Sequence, residues 1–128
     1  MPYRRLVLAP REGASLNEAM VGAMWLAHRE DRIDDMIETM HASVAWRGWS
    51  RPGRSVYRGH EGIRAMVADS HNVNGDFRVD LDEITETEPD RVRATGRVVR
   101  VEPYEEAPVE FQIVMLDGLV REVDVLLG

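Results

Sequence analysis

The 128 residues set the scale of one domain, and with 44% hydrophobic and 30% charged residues the composition is globular rather than fibrous or disordered. A net charge of -7 opposes binding to nucleic acid or anionic lipid, and no Lys/Arg stripe offsets it locally. The absence of cysteine excludes disulfides, thiolate nucleophiles and thiolate metal sites.

Met1 to Ala14 reads as an extended arm preceding a single domain over 15–128, and its apolar run, Leu6 to Ala9, is too short for a signal-peptide core or a membrane span. A cytoplasmic location is the expectation. Ser15, Leu16, Asn17 and Glu18 form a capping-box pattern, in which hydroxyl and carboxylate each satisfy a free amide at a helix start. Leu16, Met20, Ala23, Met24 and Ala27 then recur at three- and four-residue steps, predicting one buried face up to about His28. Asp31 is placed to cap a second helix with Ile33, Met36, Ile37 and Met40 inward.

Ser43 to Trp49 has strand character, and Ser50, Arg51, Pro52 and Gly53 break it before Val56 and Tyr57. Gly59 starts a third helix with Ile63, Met66 and Val67 on its apolar face, and Asn72, Asn74 and Gly75 end it. Four strands follow, over Phe77 to Thr87, Arg91 to Val101, Val109 to Leu116 and Leu119 to Leu127. Three helices in the N-terminal half and an antiparallel sheet after them define an α+β class.

Asp117-Gly118 is a dipeptide suited to the left-handed positions of a two-residue hairpin turn. Residues paired across that hairpin then have numbers summing to 235, as those two do, and one face carries Val109, Phe111, Ile113, Met115, Val120, Glu122, Asp124 and Leu126. The other face also holds several apolar residues, so a homodimer covering it is expected.

Two carboxylates on the face with the largest apolar residues need a reason, because burying a charge costs several kcal/mol unless it is paired, neutralised or hydrated. A hydrated pocket supplies one, and there Asp124, with Glu122 or His28 tuning it, would do general acid-base work. The alternative is a bulge or a one-residue slip that turns both acids to solvent or toward an arginine. His28, four residues after Met24, is otherwise a half-buried residue near a helix end. Trp46, Trp49, Tyr57, Met24 and Phe111 would line a pocket for a small apolar organic ligand, or else form ordinary core. Ala94 and Gly96 leave room above their strand for a ligand or a helix. The histidines show no metal-ligand spacing and no glycine-rich phosphate loop occurs, so no metal or cofactor is expected.

The helix hairpin, the strand ending Val44-Ala45-Trp46, the helix start Tyr57-Arg58-Gly59-His60-Glu61-Gly62-Ile63, then Asp76-Phe77-Arg78-Val79 and the closing Asp117-Gly118 hairpin occur in a characteristic order. This order resembles the SnoaL-like branch of the nuclear transport factor 2-like superfamily, from about Leu16 to Leu127. The resemblance implies a curved sheet wrapped around helices into a cone-shaped pocket, and usually a dimer. It covers a polyketide cyclase, ketosteroid isomerases, epoxide hydrolases, dehydratases and proteins without known activity, so it implies no single chemistry. The tyrosine, acidic donor and basic aspartate of the ketosteroid isomerases align with Met24, Phe111 and Arg47, which disfavours that reaction, and the Arg-x-Asp pattern of the limonene-type epoxide hydrolases is missing from Arg91 to Val101. The last-strand aspartate of the polyketide cyclases aligns with Asp124. A cofactor-independent isomerase, cyclase, dehydratase or hydrolase is one implied function, and a non-catalytic ligand-binding or dimerisation domain is the other.

Overall fold

In the computed structural model, residues 13–48, 56–101 and 103–127 are described, with Val73, Asn74 and Leu127 described by their backbone. The predicted arm, apart from Gly13 and Ala14, and Trp49 lie outside the described residues. Helices α1 (Leu16–Arg29), α2 (Ile33–Glu38) and α3 (Gly59–Asn74) accompany strands β1 (Met40–Arg47), β2 (Val56–Arg58), β3 (Phe77–Glu88), β4 (Arg91–Val101), β5 (Tyr104–Leu116) and β6 (Leu119–Leu127). The strands form one unclosed sheet in the order β2-β1-β6-β5-β4-β3, antiparallel throughout except where β1 runs parallel to β6. Helix α1 packs on β3, β4 and β6, while α3 packs on β1 and β2.

The capping box forms as expected: Ser15 Oγ accepts from the Glu18 amide at 3.0 Å, and Glu18 Oε1 accepts from the Ser15 amide at 3.2 Å. The second Glu18 oxygen accepts from the Glu86 amide at 2.6 Å, and Asn17 donates to Glu86 at 2.9 Å, so the cap also ties α1 to β3. Hydrogen bonds from Ser15, Asn17 and the Asp90 amide hold the Glu86 carboxyl below its ordinary range. The buried face of α1 is rotated from the expected one. Glu18, Val21, Gly22, Met24, Trp25 and Ala27 turn inward, whereas Ala23 is exposed and Leu16 is 89% exposed. The largest apolar side chain of the helix, Trp25, claims the interior and sets that rotation. Asp31 does not cap α2; it takes a left-handed φ of 59° in the turn, with Arg32 at the cap position.

The Asp117-Gly118 turn has positive φ at both residues, 54° and 78°, as a type I′ turn requires. Leu116 pairs with Leu119 and Met115 with Val120, the expected register. Then the register shifts: Val114 pairs with Glu122, leaving Arg121 as an extra residue in β6. Beyond this bulge Ile113 faces Val123 and Phe111 faces Val125, all four buried, and Glu122 and Asp124 turn to the outer face beside Val114 and Gln112. The concave placement expected for the two acids is therefore corrected. The bulge puts two valines in the core instead of two carboxylates.

Gly96 also differs from expectation. A Cβ there would lie 2.1 Å from the Asp80 carbonyl oxygen and 2.7 Å from the Leu81 Cα, so the glycine admits the β3 backbone and leaves no room for a ligand. Gly96→Ala should destabilise the fold by about 2–3 kcal/mol in urea unfolding, because the obstructing atoms are backbone. A loss within 0.5 kcal/mol, the range roughly expected of an unconstrained surface change, would contradict this reading.

Candidate functional site

Between the helices and the sheet lies a core of large side chains. Trp25 and Phe111 have ring centroids 4.5 Å apart, Trp25 and Trp46 5.7 Å, and Trp46 and Phe111 6.4 Å. Met24, Trp46, Phe111 and Tyr57, four of the residues expected to line a pocket, retain only 0–2% exposure. Tyr57 Oη donates to Asp69 at 2.9 Å. These side chains are packed against one another, and a ligand could touch them only by displacing neighbours.

At one end of this core the side chains become partly exposed. Trp25 and His28 lie three residues apart on α1 and therefore project from the same side of the helix. Their rings meet edge to face at 5.4 Å. His71, in the last turn of α3, stacks on His28 with centroids 6.3 Å apart and planes 16° apart. Phe77, the first residue of β3, contacts both imidazoles, at 5.8 Å from His28 and 5.1 Å from His71. Gly75, at a left-handed φ of 69°, makes the turn that sends β3 back past α3, bringing His71 and Phe77 together. His28, His71 and Phe77 are half-buried, in contrast to the closed core behind them.

Two polar atoms in this cluster are buried without a hydrogen-bond partner among the described residues: the Trp25 Nε1 and the His28 Nδ1. Burial, reinforced by the neighbouring His71 and opposed by Asp31, lowers the His28 pKa to about 4. The imidazole is accordingly neutral near pH 7. The cluster thus offers an indole N–H donor and a neutral ring able to accept or donate one hydrogen bond, between flat apolar surfaces.

The acids expected to work with His28 lie elsewhere. Asp124 is 43% exposed on the outer face, and the Arg47 guanidinium reaches Asp124 Oδ1 at 3.2 Å and Glu122 Oε1 at 3.3 Å. The hydrogen bond and charge of Asp124 raise the Arg47 pKa, with Glu122 adding to them. The sheet separates all three from the imidazole cluster. Trp25, His71 and Phe77 were missed in the sequence, although the Trp25–His28 spacing was a usable signal once Trp25 was assigned to the inner face. Among the described residues no group of three or more His, Asp or Glu side chains is placed to hold a metal ion, and no helix is long and apolar enough to cross a membrane.

The sequence matches no known family profile and no curated protein. The fold, in contrast, matches solved structures along nearly its whole length. TerC, co-crystallised with polyporic acid, superimposes with a TM-score of 0.79 at 22% identity, over 89% of this chain and 92% of that one. A nuclear transport factor 2-like protein of unknown function from Burkholderia pseudomallei gives 0.76 at 16% identity, over 89% and 92%. A SnoaL-like protein of polyketide-cyclase type from Jannaschia gives 0.69 at 17% identity, over 88% and 85%. The chain therefore has the nuclear transport factor 2-like, cystatin-like fold that its order of elements resembles.

The buried neutral imidazole has a consequence for stability. Unfolded, His28 would take up a proton near pH 6.5; folded, it does so only near pH 4. The protonation-linked cost of burying it is therefore absent well above pH 6.5 and grows as the pH falls toward 4, up to ~3 kcal/mol. The release of Glu86 from its hydrogen bonds belongs to a more acidic window, below the ordinary carboxylate pKa. Urea unfolding between pH 7 and roughly pH 4.5 should show a smaller loss of stability in His28→Phe than in the unaltered protein. Equal pH slopes would mean that the imidazole is hydrated and not buried.

Proposed function

We propose that this protein binds a small, flat, largely apolar organic molecule at the Trp25, His28, His71 and Phe77 cluster. The observation that carries the reading is that two contacting rings each hold a buried nitrogen, Trp25 Nε1 and His28 Nδ1, without a hydrogen-bond partner among the described residues. Leaving such a group unsatisfied costs about 1–3 kcal/mol, so a ligand oxygen that accepts from the indole, together with a hydroxyl that meets the imidazole, would recover that energy. An ordered water is the competing occupant. The co-crystal of TerC with polyporic acid supports an organic-acid ligand on this fold.

A second reading, an enzyme, is favoured by the neutral state of His28. With a pKa near 4 the uncharged imidazole is a weak base, able to take a proton from an acidic substrate hydroxyl but not from carbon, while the Trp25 N–H steadies the charge left on the oxygen. Isomerisation, cyclisation, dehydration and hydrolysis all admit such a step without a cofactor. Asp124 and Glu122 have no part in either reading. The bulge replaces Val123 and Val125 by Glu122 and Asp124 on the outer face of the closing hairpin, where Val114, Leu116 and Leu126 remain; a homodimer covering that face stays part of the proposal, and ligand binding does not depend on it.

Calorimetric titration with polyporic acid tests the site. Trp25→Phe and His28→Phe should each weaken binding about tenfold, the equivalent of one lost hydrogen bond at ~1.4 kcal/mol, while Asp124→Asn stays within about twofold. Binding lost in Asp124→Asn and retained in both cluster variants would reverse the assignment.

A further inference from the structure

Arg100 stands directly opposite Phe77 across the β3–β4 ladder, so the two side chains project from the same face of the sheet. On that face β4 otherwise presents Val92, Ala94, Gly96 and Val98. Arg100 is thus a cation ending an apolar row, at the end of the sheet where Phe77 meets His28 and His71. Its Nε is buried without a hydrogen-bond partner among the described residues. Among the described residues its ion-pair partner is Glu105, directly opposite on β5, whose side chain is 59% exposed. Such an exposed pair contributes little to stability and is readily exchanged for another anion. Arg97 also has a buried, unpartnered Nε, but it lies on the other face with Glu106.

We infer that Arg100 makes the site selective for an ionised ligand: a planar organic acid whose ring lies against Phe77 and whose acidic oxygen replaces Glu105 on the guanidinium. This rests on the ligand-binding reading above and narrows it. A guanidinium presents a planar fork of N–H donors, and its Nε–H needs an acceptor that Glu105 does not provide. A net charge of -7 repels anions from the protein at large, so an anionic ligand requires a local cation of this kind.

The test compares polyporic acid with its dimethyl ether, in which the acidic hydroxyls are masked, by calorimetry on the full chain. The unaltered protein should bind the acid more tightly than the ether. Arg100→Gln should weaken the acid by about tenfold or more, as expected for a charge-assisted hydrogen bond, and leave the ether within about twofold. Arg100→Lys should keep part of the preference, and Glu105→Gln should strengthen the acid by freeing the cation. Melting curves establish that each variant is folded. Equal loss of both probes in Arg100→Gln, no loss of either, or a wild-type preference for the ether would overturn the inference while leaving the pocket intact. Failure of both probes to bind the unaltered protein would remove the ligand-binding reading and this inference with it.

Discussion

Side-chain direction along a strand alternates with period two, so one unpaired residue reverses the facing of everything beyond it. In β6 that residue is Arg121. The turn at Asp117-Gly118 starts the hairpin in one register, and burial decides how it continues. Without the bulge, Glu122 and Asp124 would enter the core and Val123 and Val125 would face solvent, exchanging two favourable burials for two costs of several kcal/mol each. With it, Val123 and Val125 pack beneath Phe111 and Ile113, and both acids find Arg47 on the outer face. Among the described residues β5 and β6 then place no carboxylate beside Phe111 on the inner face, and the polar groups there come from the helices and the ends of β3 and β4.

Those elements supply an indole and two imidazoles in an otherwise apolar setting. Trp25 is held by Trp46 and Phe111 behind it, which fixes its N–H without satisfying it. The same packing desolvates His28 and keeps it neutral, so the geometry and the protonation state have one cause. The capping interactions of Ser15 and Glu18 with β3 set the position of α1 on the sheet, and with it the position of both residues.

Much of the fold was legible in the sequence because local chemistry and global fold agree there. The capping box, the glycine at the start of α3, the bounds of β4 and β6 and the type I′ turn each follow from a few neighbouring residues. The site was less legible. No local signal marks Arg121 as a bulge; it arises from a comparison of alternative burials that only the assembled sheet makes. The rotation of α1 has a similar origin: Leu16, Met20 and Ala23 fit helical spacing as well as Val21 and Trp25 do, and the sheet beneath chooses the latter. Gly96 read as vacant space because a missing side chain does not reveal the backbone that occupies its place. His28 was found by its spacing from Met24, but its companions, His71 and Phe77, are brought to it by the turn at Gly75.

On the proposed function, ligand recognition belongs to the inner imidazole–indole cluster and not to the outer carboxylates. Chemical-shift mapping of the isotope-labelled protein during titration with polyporic acid tests it most directly. The Trp25 indole N–H resonance should move as it gains an acceptor, together with His28, His71 and Phe77, while Arg47, Glu122 and Asp124 stay unperturbed. Shifts confined to Arg47, Glu122 and Asp124, with the Trp25 resonance unchanged at saturation, would contradict it.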